Sequence, residues 1–144
     1  MASGYPDFFG LSVFPNYGSS TYKQGGVPVS GAVSQQIFAI SGKGILIGGI
    51  VYIDDTDFDD DALFYVLVDS QYLPVITVAD YLKYNLYESS KVPLAMLYYN
   101  PSIGRVCFSF SLSLTFQSVI GLYVIPNSAG VYSVNYLVYY TPIL

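Results

Sequence analysis

From Val106 to Gln117 the chain reads Val-Cys-Phe-Ser-Phe-Ser-Leu-Ser-Leu-Thr-Phe-Gln. Val106, Phe108, Phe110, Leu112, Leu114 and Phe116 share one parity, while Cys107, Ser109, Ser111, Ser113, Thr115 and Gln117 share the other. A period of two belongs to a pleated strand, whose successive side chains point to opposite faces, and no helix sorts these residues. One apolar and one polar face suits an antiparallel sheet packed on one side, because a strand buried on both sides is apolar throughout. Burying each apolar side chain contributes roughly 1.5–3 kcal/mol, against ~1–2 kcal/mol for ordering the backbone of each residue. The strand cannot hold itself, so a second layer must cover its apolar face.

The rest of the chain supplies short strands with turns between them. Val27 to Ile40 reads as one bent strand or two short ones broken at Gly31, and Ser41-Gly42-Lys43-Gly44 as a turn. Strands are predicted at Ile45 to Ile53, with Gly48-Gly49 as a bulge or a close approach of another backbone, and then at Ala62 to Val68 and Tyr72 to Val78. Residues 79–87 are the one candidate for a helical turn or two. Strands follow at Leu94 to Tyr99, Ile120 to Ile125 and Val131 to Tyr140, with turns at Asn100 to Gly104 and Pro126 to Gly130. About eight strands without long helices predict an all-β protein, an antiparallel two-sheet β-sandwich with jelly-roll or Greek-key connections. Residues 27–144 form this single domain. Residues 1–26 show neither period but carry Tyr5, Phe8, Phe9, Phe14, Tyr17 and Tyr22. Disordered tails are poor in aromatics, so this segment is expected to be an ordered N-terminal arm.

Of the 144 residues, 53% are hydrophobic and only 10% charged, against ~25% charged in ordinary soluble domains. The longest apolar run, Ile45 to Ile53, contains two glycines and falls well short of the ~18–20 residues of a membrane helix. No membrane span is expected. The apolar surplus points to surface covered by other subunits. With a net charge of −5 and five scattered cations, the chain lacks the basic stripe that neutralises a phosphate backbone, which argues against a nucleic-acid partner. The first residues lack the cationic start and apolar stretch of a secretory signal. The chain is therefore expected to assemble inside a cell or to have lost a leader.

Asp54-Asp55-Thr56-Asp57-Phe58-Asp59-Asp60-Asp61 places six carboxylates in eight residues between two predicted strands. Hard cations take several loop oxygens, which makes Asp55, Asp57, Asp59 and Asp61 candidate calcium ligands. Against an EF-hand loop begun at Asp55 the match fails at the sixth position, Asp60, and at the twelfth, Val66. The simpler reading is a solvated loop that keeps an apolar protein in solution, and a third is that a neighbour's Lys or Arg meets it. No cofactor is expected, calcium excepted. Gly42-Lys43-Gly44 runs into a strand instead of a helix, so these are turn glycines and not a phosphate loop.

Catalytic groups are sparse. The chain has no histidine, and its single cysteine, Cys107, lies inside a predicted strand. No enzymatic activity is expected. Sixteen tyrosines and no tryptophan favour protein contact over sugar stacking, since a phenol suits a surface dry at one end and wet at the other. The rings expected at subunit contacts are Tyr5, Phe8, Phe9, Phe14 and Tyr17 of the arm, with Tyr132, Tyr136 and Tyr140 of the last strand.

A short all-β chain with an aromatic N-terminal arm, no catalytic constellation and excess apolar surface resembles the single jelly-roll or β-sandwich structural proteins of phages and archaeal viruses. The likeness lies in the pattern of the whole chain and in no particular motif. It implies a non-enzymatic capsid, decoration, turret or spike subunit, located in the virion, that forms homo-oligomers with the arm reaching a neighbour. Two other readings remain open. One is an extracellular filament or tube subunit joined by strand donation, and the other a sugar- or receptor-binding β-sandwich.

Overall fold

The computed structural model describes residues 20–58, 60–73, 76–84, 93–110, 113–127 and 130–143. In chain order the elements are β1 (Thr21–Val29), β2 (Gln35–Ser41), β3 (Gly44–Asp54), β4 (Leu63–Val68), β5 (Gln71–Tyr72), β6 (Ile76–Thr77), α1 (Val78–Tyr84), β7 (Leu94–Asn100), β8 (Arg105–Phe110), β9 (Leu114–Phe116), β10 (Val119–Ile125) and β11 (Tyr132–Pro142). The pairing is nested. β1 pairs with β11, β2 with β10, β3 with β8 and β9, and β4 with β5 and β6, all antiparallel. The chain is thus a long ribbon of paired strands folded over on itself. Folding brings β11 beside β3 and β10 beside β4, giving a six-stranded sheet in the order β1-β11-β3-β8-β7 with β9 also on β3. The opposing five-stranded sheet runs β2-β10-β4-β5 with β6 on β4. All-β architecture in two antiparallel sheets agrees with the reading of the sequence.

The two inner faces make the core. Phe108 of β8 meets Phe64 of β4 across the sandwich with ring centroids 5.1 Å apart, and Phe38 of β2 meets Tyr136 of β11 at 4.9 Å. Leu46, Val51, Ile53, Val134 and Val138 from one sheet, with Ile40, Val66, Ile120, Leu122 and Val124 from the other, fill the space between these rings. The α1 helix closes one flank. The Thr77 hydroxyl accepts from the Asp80 amide at 3.0 Å and the Asp80 carboxylate accepts from the Thr77 amide at 3.2 Å, a reciprocal cap on the first turn. Tyr81 is buried against Phe108 at 5.3 Å and donates its hydroxyl to the Leu94 carbonyl.

Beyond the strand expected from Tyr72 to Val78, where β5 ends at Tyr72, β6 spans Ile76–Thr77 and Val78 opens α1, two boundaries differ from those read in the sequence. The strand predicted from Val106 to Gln117 is β8 followed by β9. Between the Ile50–Ser109 and Leu46–Leu114 pairs there are four steps along β3 and five along its partner, so the ladder carries one extra residue there. The alternation survives, since Val106, Phe108, Phe110 and Phe116 are buried; Leu112 lies outside the described residues. The second difference is β1, which pairs with β11 from Thr21 onward. Residues 21–26, assigned to the arm, therefore belong to the sheet. Lys-Gln-Gly-Gly within that stretch has little strand propensity, and it is the long β11 backbone beside it that holds it extended.

One end of the sandwich is tied by Asp69, the only described residue other than glycine with positive φ, at 57°. Its carboxylate accepts from the backbone amides of Gln117, Ser118 and Val119 at 3.0, 2.7 and 3.2 Å and from the Ser118 hydroxyl at 3.0 Å. Gln117 and Ser118 carry the chain from one sheet to the other. Asp69 thereby clamps the β4–β5 turn to that crossover.

Candidate functional site

The acidic loop is built from its first residue. The Asp55 amide donates to the Gly104 carbonyl at 3.1 Å, its carboxylate accepts from the Asp57 amide at 2.9 Å, and its carbonyl accepts from the Phe58 amide at 3.0 Å. Gly104 adopts φ +64°, and a Cβ there would stand 1.8 Å from the Asp55 oxygen, so only glycine lets the two turns lie this close. Phe58 then turns inward, edge-on to Tyr99 and Tyr132 at 6.5 and 5.3 Å. Asp54 pairs with Arg105 at 2.9 Å, both half exposed, and this hydrogen bond and charge raise the guanidinium pKa. Among the described residues no three acidic or thiol side chains converge to hold a metal ion. Asp55, Asp57 and Asp61 lie along the loop, the Asp55 carboxylate being used by the loop's own backbone, and Asp59 is outside the described residues.

The last strand corrects the choice of interface tyrosines. Tyr132 is 1% exposed and Tyr136 is covered by Phe38, so both belong to the core, and Tyr140 is half-buried at its edge. They share a parity with Val134 and Val138, which marks that side of β11 as the inner one. Tyr139, on the other parity, is 47% exposed and lies beside Tyr22 of β1 with centroids 6.4 Å apart. The valines at 134 and 138 were the sequence signal that separates these two sets. Tyr5, Phe8, Phe9, Phe14 and Tyr17 lie outside the described residues.

Tyr22 and Tyr139 form one end of an apolar outer face on the six-stranded sheet. The next rung pairs Gln24, Leu137, Ile50 and Ser109, and the one after it Gly26, Asn135, Tyr52, Cys107 and Tyr98. Ile47, Ile50, Tyr52 and Tyr98 are all exposed. Ile47 and Ile50 both face outward because β3 carries a bulge, with the register to β11 shifting between Tyr139 and Tyr140. Beside Gly25 lies an open groove of about 650 Å³ lined by Gln24, Gly25, Ile50, Tyr52, Asn135, Tyr136 and Leu137. Cys107 lies on the same face, and burial pushes its thiol pKa up, so it is protonated at neutral pH.

The outer face of the five-stranded sheet is different. Tyr65 and Tyr123, directly cross-strand, stack at 5.3 Å and 8°, and Tyr72 stands edge-on to Tyr65 at 5.2 Å. The Tyr65 hydroxyl is bonded to Ser34, and Tyr123 donates to the Gln36 side chain at 3.1 Å. Tyr72 is 65% exposed.

Comparison with known protein families and with curated sequences finds no match.

Proposed function

We propose that this chain is a non-enzymatic structural subunit of a virion that self-associates. The observation that carries the reading is the set of exposed rings and aliphatic side chains, Tyr22, Tyr139, Ile47, Ile50, Tyr52 and Tyr98, on the outer face of the six-stranded sheet, since exposed apolar surface among polar residues marks a protein interface. The nested strand pairing supports the finer assignment of a jelly roll, which is what a paired ribbon becomes when rolled into two sheets. The virion location rests on the resemblance in pattern to small β-sandwich capsid, decoration, turret and spike proteins, with the aromatic segment before Ser20 reaching a neighbour. Electron imaging of the purified chain is the test. Ordered particles, rings or arrays are expected, and a chain beginning at Ser20 should form fewer of them; dispersed single molecules from the full chain would overturn the reading.

A second reading is favoured by the Tyr72, Tyr65 and Tyr123 row. Rings with their hydroxyls fixed by Ser34 and Gln36 suit a sugar- or receptor-binding face. Tyr72→Ala would abolish glycan binding under this reading and leave assembly unchanged under the first.

A further inference from the structure

We infer that the outer face of the six-stranded sheet receives a second copy of the same chain, packed face to face about a two-fold axis that runs across the strands. This rests on the self-association proposed above and names the surface and its partner. The face carries its own complement. Tyr22 and Tyr139 rise as a knob at one end, while the groove beside Gly25, lined by Leu137 and Ile50 among others, lies on the same strands one to two rungs away. Paired rungs are ~7 Å apart along a strand. A two-fold axis between knob and groove therefore lays each knob in the other copy's groove, the reciprocal contact of an isologous interface.

Charge selects the occupant. Two copies at −5 each repel, and they approach most easily where neither presents charge. Among the described residues of this face the charged side chains are Asp54 and Arg105, which already neutralise each other, and Lys23 turns to the other side, onto the Ala39 carbonyl of β2. Area fits as well. Five strands at ~4.8 Å spacing by about six residues of ~3.4 Å give ~500 Å² per copy, near the ~1,000 Å² total at which a specific interface begins. Such a contact is reversible on its own and becomes stable when repeated in an assembly.

The test is a charge pair split between two chains. Tyr22→Asp alone and Ile50→Lys alone should each weaken association by about 30-fold or more, as expected when a charge enters a desolvated contact. Their equimolar mixture should associate again, because one knob–groove contact becomes Asp against Lys and the other stays wild type. Tyr72→Asp, on the opposite sheet, should associate like wild type. A measurement on the unmodified chain keeps the proposal falsifiable if a variant misfolds, since Cys107 on this face should be alkylated several-fold more slowly in the assembled than in the dissociated protein. If the wild type associates but the variants do so equally, or Cys107 reacts at the same rate in both states, the face is wrong and self-association stands. If the wild type is monomeric throughout, self-association and this interface both fall.

Discussion

At the scale of single residues, Asp69 and Tyr81 show how few polar groups hold an apolar sandwich together. Asp69 is kept below its ordinary pKa of 3.8, first by the Ser118 amide and then, against desolvation, by the Val119 amide, the Ser118 hydroxyl and the Gln117 amide. A folded pKa below the unfolded one means that the clamp's contribution is complete above about pH 3.8 and is lost as pH falls through the lowered value. Asp69→Asn tolerates the same left-handed backbone and keeps one oxygen for the three amides, but it loses the charge that strengthens those bonds. Thermal melts should show the Asp69→Asn variant less stable than wild type by several degrees at pH 7, with the gap closing as pH falls through the lowered carboxylate pKa; a gap independent of pH would mean that the ionised carboxylate is not the clamp. Tyr81→Phe leaves the Leu94 carbonyl without its buried donor and should cost ~1–3 kcal/mol in urea titrations. Neither role was legible from the sequence. Asp69 falls between two predicted strands and its partners lie about fifty positions away, and Tyr81 falls in the short predicted helical segment, where nothing local marks the Leu94 carbonyl as its acceptor.

At the scale of elements, β3 decides which side chains reach each surface. Its bulge allows Leu46 and Val51 both to face the core although they differ in parity, and it turns Ile47 and Ile50 outward. Gly49 permits this, since a Cβ there would stand 2.5 Å from the Leu137 carbonyl and 2.7 Å from Val138 Cα, whereas nothing lies within 4 Å of one on Gly48. Gly49→Ala should therefore destabilise by ~1–3 kcal/mol and Gly48→Ala by less than ~0.5 kcal/mol, a contrast that chemical denaturation resolves. The Gly-Gly pair did mark this bulge in the sequence, and the alternation of β8 marked its buried face. The β1 strand was not legible over residues 21–26, because edge pairing to β11 is a backbone property that the side chains there do not announce. Removal of residues 1–26 strips six residues from the pairing with β11 and should lower the melt of the sandwich.

At the scale of the molecule, the chain puts its aromatic surplus to two uses. Phe38, Phe64, Phe108, Tyr132 and Tyr136 fill the interior, and Tyr22, Tyr52, Tyr98 and Tyr139 remain outside on one sheet. Composition forecast the surplus, and period forecast two sheets. What neither could forecast was which tyrosines lie on which side, a matter of register settled by ladders joining residues more than a hundred positions apart. The acidic loop fits the same division, its backbone held by Asp55 and Gly104 and its Phe58 plugging the sandwich end while its carboxylates keep that end hydrated. Self-association through an apolar sheet face is the claim on which the function depends. Sedimentation velocity of the full chain over a hundred-fold concentration range tests it most directly. A sedimentation coefficient that climbs with concentration toward a discrete assembly is expected, and a single concentration-independent monomer would contradict it.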